Sequence, residues 1–514
     1  MKPTMLAVIS AVSISTASHV LGAEQLVAAE GASLVGKAVY EQHCAACHGA
    51  TGDGNGAATV WLFPKPRNFN AGLFKIQSTP AGSLPTDDDL FQTITRGMAG
   101  SSMPSFTYLS EQQRRDVVQF VKYLTGETGP DGKRVNKFEE AKAKGESKPP
   151  VNVPPEPGVT VEALVKGKES FVRLQCFTCH GENGQGDGPS APTLKDNWGL
   201  PLPPRDFTIG AFRGGSEGRD LYLRIANGLA GTPMPPFGDD LLKPDERWAL
   251  VQYIQSLRRK DAEVHDILRP EDAGIPAKHV KKLPSDPMDP AWEKFDNVRV
   301  PLNPLWPEPY PISAVAITAL HDGKRIAILA QWKDAVLNGA PIRVQDFQDG
   351  MAMQFSLKGT IPFLGMGDAN NPVNLWYWRA GWQQEIDSQR PDMESAYASL
   401  HVDTYFTNSY RTAQAAGNIL AQPQKSPVED ANAHGFGTLK SQPIASQNVQ
   451  GKGVWRDGFW SVVFLRELKS KDADDVKFAV REPIPVAFAV WNGEQRDRNG
   501  RKVISNWYKL ILEP

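Results

Sequence analysis

The sequence predicts a multidomain chain: two all-α domains in tandem, followed by an all-β antiparallel sandwich domain. Three observations carry this reading. A cysteine-containing phrase near residue 44 returns near residue 176 with matching flanks, and each copy ends in a run with apolar residues at helical spacing. Beyond about residue 290 the pattern changes to short alternating runs broken by turn residues. At 514 residues the chain exceeds one ordinary domain of about 150 residues, so several cores are expected.

The first element is not expected to fold with the rest. "MKPTMLAVISAVSISTASHVLGAEQ" sets Lys2 before an apolar, small-residue stretch and places Gly22 and Ala23 after it, the pattern of a secretory signal peptide over residues 1–23. The stretch is short of the roughly 20 apolar residues a span needs, and no later segment is long and apolar enough to cross a membrane. Periplasmic export is the expectation. A formal charge of −2 gives no basic footprint for nucleic acid. An oxidising compartment normally pairs cysteines, yet all four here sit in two short motifs.

Those motifs are Cys44-Ala45-Ala46-Cys47-His48 and Cys176-Phe177-Thr178-Cys179-His180, both C-x-x-C-H. On one helical turn this spacing lets two thiols reach the two vinyl groups of one haem and sets the histidine under the iron, which is the pattern of c-type haem attachment. A thioredoxin-like pair would not need the histidine twice, and neither motif supplies the four ligands of a zinc site. Cys44, Cys47, Cys176 and Cys179 are therefore expected to hold two covalent haems c, with His48 and His180 as ligands. Met103 in "GMAGSSMPSF" and Met234 in "GLAGTPMPPF" follow those histidines by 55 and 54 residues and are candidates for the sixth ligand. Met98 competes in the first copy, but Leu229 stands at its counterpart.

The repeat extends further. "GKAVYEQHCAACHG" aligns with "GKESFVRLQCFTCHG", "PRNF" (66–69) with "PRDF" (204–207), and "LSEQQRRDVVQFVKYL" with "LKPDERWALVQYIQSL". Val117, Phe120, Val121 and Leu124 mark the buried stripe of the last helix in copy one, matched by Leu250, Tyr253, Ile254 and Leu257. Ser110 and Gln113 read as its capping box. Both copies resemble class I cytochromes c over residues 31–127 and 161–260. Arg67 and Arg205 in the repeated P-R-x-F are candidates to neutralise a haem propionate. Residues 128–160, charged and then proline-rich, read as an exposed semi-rigid linker, and 261–290 as a second linker.

From residue 291 to 514 strands are expected. "AVAITALHDGKRIAILAQW" places Asp322 and Gly323 between two of them, a hairpin signal. The phrases "FQDGMAMQF", "PFLGMGDANNPVNLWYWRAGW", "GKGVWRDGFWSVVFLREL" and "VAFAVWNGEQRDRNGRKVISNW" resemble the haem b-binding gamma subunit of periplasmic molybdoenzymes such as ethylbenzene, dimethylsulfide, selenate and chlorate dehydrogenases or reductases, with nitrite oxidoreductase-like systems among them. That resemblance implies one non-covalent haem b with a methionine and a lysine on the iron. Met366 in "FLGMGD" is the candidate for the first, with Met351 and Met353 as rivals. Lys452 in "GKGVW" is the candidate for the second, because flanking glycines allow close approach, with Lys440 and Lys358 as rivals. His321 and His401 read as surface residues, and Trp376, Trp378 and Trp382 as sandwich core.

No residue pattern points to a catalytic site. The expected function is an electron-transfer subunit passing electrons between a partner and a soluble or membrane electron carrier such as a cytochrome c. The resemblance implies that the partner has a molybdopterin catalytic subunit and an iron–sulfur subunit. The competing expectation is a free-standing dihaem shuttle whose β-sandwich binds a ligand and lacks haem b.

Overall fold

The computed structural model describes residues 34–128, 134–210, 212–260, 274–306, 308, 311–388, 397, 399 and 412–514. The expected signal peptide and His401 lie outside them. Among the described residues no helix is long and apolar enough to cross a membrane.

The first module consists of α1 (Lys37–His43), α2 (Ala45–His48), α3 (Asp87–Arg96) and α4 (Glu111–Leu124). A short helix, α5 (Lys137–Ala143), follows. The second module repeats the plan with α6 (Val161–Arg173), α7 (Phe177–His180), α8 (Gly218–Asn227) and α9 (Pro244–Ser256). The start of α4 is set by reciprocal hydrogen bonds: Gln113 N–H donates to Ser110 Oγ at 3.2 Å and Ser110 N–H to Gln113 Oε1 at 2.9 Å. Val117, Phe120, Val121 and Leu124 are buried on its inner face. Helix α3 carries Asp87, Asp88 and Asp89 in its first turn, where the partial positive charge of the helix end favours carboxylates.

The first and last helices of each module cross at a glycine. A Cβ on Gly36 would lie 2.1 Å from the Asp116 carbonyl oxygen, and one on Gly167 would lie 2.1 Å from that of Ala249. Only a residue without a side chain permits this approach, which explains why "GK" opens both copies.

The segment expected as an exposed linker over 128–160 is docked. Phe138 of α5 packs 5.9 Å, ring to ring, from Phe74 of the first module. Further on, Val151 N–H donates to the Ser78 carbonyl at 2.8 Å, Trp248 Nε1 to the Pro154 carbonyl at 3.2 Å and Gln252 Nε2 to the Pro157 carbonyl at 2.9 Å. Proline-rich chain cannot donate at its prolines, but its carbonyls accept, and here they strap the two modules together.

The C-terminal domain contains a 14-stranded sheet. Its main path runs β11 (Lys440–Ser441), β10 (Val428–Ala433), β9 (Val373–Arg379), β8 (Gly350–Ser356), β14 (Ile484–Trp491), β16 (Tyr508–Leu512), β3 (Gly274–His279), β6 (Ala314–His321), β7 (Arg325–Lys333), β13 (Phe459–Glu467) and β12 (Gln450–Arg456). Strand β15 (Val503–Ile504) pairs with β14 and with β5 (Asn303–Pro304), β4 (Val298–Pro301) pairs with β6, and β1 (Glu127–Thr128) with β2 (Arg134–Val135) forms a separate ribbon after the first module. Six spacings of about 4.8 Å separate β9 from β7, roughly 29 Å in a flat sheet. Yet Trp378 of β9 lies 6.0 Å from Trp332 of β7 and 4.7 Å from Trp460 of β13, ring to ring. The sheet is folded over, and its two arms bury one core that includes Met351, Met353, Trp376, Phe488 and Val503.

Three expectations are corrected here. The sheet is mixed rather than antiparallel, because β3 runs parallel to both β16 and β6. This strand comes from residues read as linker, so the domain begins by residue 274 and not at 291. "GIPAKH" hides its nature, since proline is disfavoured in central strands. The conflict is avoided because pairing with β6 starts only at Ala277. His321 is also buried rather than at the surface, 1% exposed, with Nε2 2.7 Å from the Glu513 carbonyl. The hairpin at Asp322–Gly323 joins β6 to β7 as expected, and Trp376, Trp378 and Trp382 are core.

The helix crossing can be tested directly. Gly167→Val should destabilise the second module by about 1–3 kcal/mol, the usual cost of overpacking, and thermal unfolding followed by circular dichroism should show an early phase that the same change at exposed Gly158 does not produce.

Candidate haem-binding sites

Both C-x-x-C-H motifs form a helical turn. His48 N–H donates to the Cys44 carbonyl and His180 N–H to the Cys176 carbonyl, each at 2.9 Å, which places two sulfurs and an imidazole on one short face. No disulfide links them, and burial pushes Cys44 and Cys47 up to about 12 and Cys176 up to about 11.

The repeated P-R-x-F completes each imidazole's environment. His48 Nδ1 lies 2.9 Å from the Arg67 carbonyl and His180 Nδ1 lies 3.1 Å from the Arg205 carbonyl. A carbonyl only accepts, so Nδ1 carries the proton and Nε2 keeps the lone pair a metal needs. Burial pulls both histidines below the ordinary range and favours this neutral form. Phe69 stacks on His48 at 4.6 Å and Phe207 on His180 at 4.3 Å.

The glycines after each motif brace this arrangement. Phe69 N–H donates to the Gly52 carbonyl and Phe207 N–H to the Gly184 carbonyl, each at 2.7 Å. Gly54 and Gly186 hold φ of 82° and 76° while passing against the Pro66 and Pro204 carbonyls.

The two methionine loops have one conformation. The Met103 carbonyl accepts from Met98 N–H at 3.0 Å, and the Met234 carbonyl accepts from Leu229 N–H at 3.1 Å. Met103 packs with Cys44 against the first module's core. Both methionines are half-buried. Arg67 and Arg205 extend into the seam between modules, where the Arg67 guanidinium lies 4.7 Å from the Trp198 ring of the second module.

In the β domain the inner face of the sheet is filled by Met351 and Met353, which are fully buried and face away from the surface that carries Met366. Met366 sits in a tight turn with φ 72°, an uncommon conformation that costs a side-chain-bearing residue about 1–3 kcal/mol. It packs on the sheet's outer face with Leu364, Leu375, Ala433, Ala487 and Trp507.

Lys452 is not there. Its side chain is 46% exposed and its ammonium is paired with Asp286 at 2.6 Å. The glycines that suggested it have another purpose: a Cβ on Gly453 would come 2.5 Å from the Trp378 ring, and one on Gly451 equally close to Val428. They let β12 close over the core. The rivals Lys440 and Lys358 are exposed.

Lys502 fits instead. Val503 beside it points into the inner core, so Lys502 and Ile504 share the outer face, and Ile504 belongs to the Met366 cluster. The Lys502 ammonium lies 4.7 Å from the Trp491 ring, no carboxylate pairs with it among the described residues, and desolvation pulls it down to about 8. A lysine must lose its proton to ligate a metal, and this site favours that loss. Small outward residues, Ala352, Ala487 and Ala489, leave the face flat beside it. Trp507 Nε1 is buried there without a partner.

Residues 289–503 match the family described as ethylbenzene dehydrogenase, and residues 34–125 and 164–258 each match cytochrome c. The chain is two cytochrome c domains fused to an ethylbenzene dehydrogenase-type domain. It is similar to the chlorate reductase gamma subunit of Ideonella dechloratans, 27% identical over 44% of this chain and 79% of that one. It is likewise 27% identical to the dimethylsulfide dehydrogenase gamma subunit of Rhodovulum sulfidophilum, over 47% of this chain and 80% of that one. A chain of the Kuenenia stuttgartiensis reducing HAO-like protein complex is 42% identical over 44% of this chain and 96% of its own length, with a TM-score of 0.39.

The lysine assignment separates cleanly by mutation. Lys502→Ala should remove the b component of a pyridine haemochrome spectrum and leave the c components, while Lys452→Ala should change neither. Loss of haem b in the Lys452 variant alone would reverse the assignment.

Proposed function

We propose that the chain is a periplasmic electron-transfer subunit that holds two haems c and one haem b and connects a molybdoenzyme to an electron carrier. The observation that carries this reading is the placement of Met366 and Lys502 on an outer sheet face roofed by the first cytochrome module. Haem supplies one-electron transfer when bound, and the residues described above supply its attachment, its axial groups and its shelter from water.

The roof is continuous. Cys47, Ala58 and Leu62 of the first module pack against Leu305, Phe436 and Ile504 of the β domain. Phe63 N–H donates to the Leu305 carbonyl at 3.0 Å, and Ser105 N–H to Asn506 Oδ1 at 3.3 Å. Tyr108 packs against the Met366 cluster while its hydroxyl lies 3.3 Å from Nδ1 of His43, the residue before Cys44. Protein contact is thus unbroken from the Met366 turn to the first C-x-x-C-H motif and onward across the module seam. This supports the order β domain, first module, second module. The relatives named as gamma subunits of a chlorate reductase and a dimethylsulfide dehydrogenase are in keeping with the partner that the sequence resemblance implies, a molybdopterin catalytic subunit with an iron–sulfur subunit.

A haemochrome spectrum of the purified protein should give two c haems to one b, and affinity purification from its native host should bring down a large molybdenum-containing partner. Two c haems without b, in a protein that purifies alone, would favour a free-standing shuttle.

A further inference from the structure

The seam between the two cytochrome modules is built from matching halves. The repeat pairs Arg67 with Arg205, Gly100 with Gly231, Lys75 with Arg213, and Ile76 with Gly214. Across the seam these residues meet reciprocally. A Cβ on Gly100, in the first module's methionine loop, would lie 2.5 Å from Arg205 Nη1 of the second. A Cβ on Gly231, in the second module's methionine loop, would lie 3.4 Å from Arg67 Nη1 of the first. Ile76 Cδ1 would be 2.7 Å from a Cβ on its own counterpart, Gly214. A contact between equivalent residues marks a pseudo-twofold axis, so the modules face each other with the same surface.

The charges at this surface do not balance. Among the described residues, the acidic groups acting on Arg67, Lys75, Arg96, Arg205, Arg213 and Arg224 are Asp196, Asp206 and Asp220, three carboxylates against six cations. Arg96 is paired with Asp220 at 2.9 Å, and Arg224 donates to the Asp220, Gly214 and Gly215 carbonyls. Asp196 and Asp206 already accept from N–H groups of their own loops. Arg67 Nη1 and Arg213 Nε are buried without hydrogen-bond partners. Burial holds Lys75 down to about 8, with repulsion from Arg67 and Arg213 adding to the effect. Buried cations in excess are strongly unfavourable unless anions join them. Two haems bring four carboxylates.

We propose that the seam is a single carboxylate-binding cradle in which Arg67, Lys75, Arg205 and Arg213 hold the propionates of both c haems, with each arginine acting across the seam as well as within its own module. The proposal rests on the assignment of two haems c. The cradle closes over both cofactors together, and a charge removed from one module is felt by the haem of the other. Lys75 and Arg213 are positioning residues for the propionates, with no direct role at iron.

The test is a spectroelectrochemical titration of the full-length protein, followed in the c-haem absorption. A cation near a haem favours its reduced form, so Lys75→Met should lower the midpoints of both c haems, and Lys75→Arg should restore them. Arg213→Met, on the other module, should lower the same two midpoints and gives the same readout if the Lys75 variant does not accumulate. A shift confined to the haem of the mutated module, or no shift, overturns the cradle. A wild-type haemochrome with fewer than two c haems overturns the haem assignment itself and the cradle with it.

Discussion

In each cytochrome module the carbonyl of Arg67 or Arg205 must point at the proximal imidazole, and much of the molecule follows from that hydrogen bond. It fixes the tautomer of His48 or His180 and leaves Nε2 available. Keeping the carbonyl there requires the neighbouring chain to approach closely, which the glycines following each motif allow, and it lets Phe69 or Phe207 stack on the ring. The same residue's side chain is then directed out of its module. One motif of four residues thus builds the ligand's environment with its backbone and the inter-module seam with its guanidinium.

The β domain meets a similar demand by different means. Without cysteines to anchor a cofactor, it offers a face of small residues, a lysine with no carboxylate partner among the described residues and a methionine held in a strained turn. A charged lysine desolvated against Trp491, with no carboxylate beside it among the described residues, is costly unless the proton can leave. The first module covers this face, so the lysine's desolvation depends on inter-domain packing as much as on the sheet.

What was legible in the sequence was local. C-x-x-C-H, the paired methionine loops and the capping box at Ser110 are short-range patterns whose geometry a single helix or turn decides. The lysine was not legible, because burial is a tertiary property: Lys452 sits in a strand and Lys502 immediately before one, and only the folded sheet shows which one loses water. Glycines misled for the same reason, since Gly451 and Gly453 make room for Val428 and Trp378, residues distant in sequence. Strand β3 was missed because its proline argued against a central position that the partial pairing with β6 makes acceptable. The role of the P-R-x-F backbone left only a faint trace, a phenylalanine repeated at a fixed distance from the arginine.

The two modules have one plan but different neighbours. Ala58 and Leu62, on the 3-10 turn that follows the first C-x-x-C-H, are almost wholly covered by the β domain. Their counterparts in the second module, Ser190 and Leu194, are only partly buried, whereas the residues between, Val60 and Trp61 in the first module and Pro192 and Thr193 in the second, are exposed in both. Substituting serine for alanine at the equivalent position suits a surface that meets water rather than Leu305 and Ile504. Duplication therefore supplied two copies of the same turn, of which the first has its two flanking residues buried against the β domain. Under the electron-transfer reading proposed above, this asymmetry favours the second module as the side that meets an external redox partner and the first as an enclosed relay.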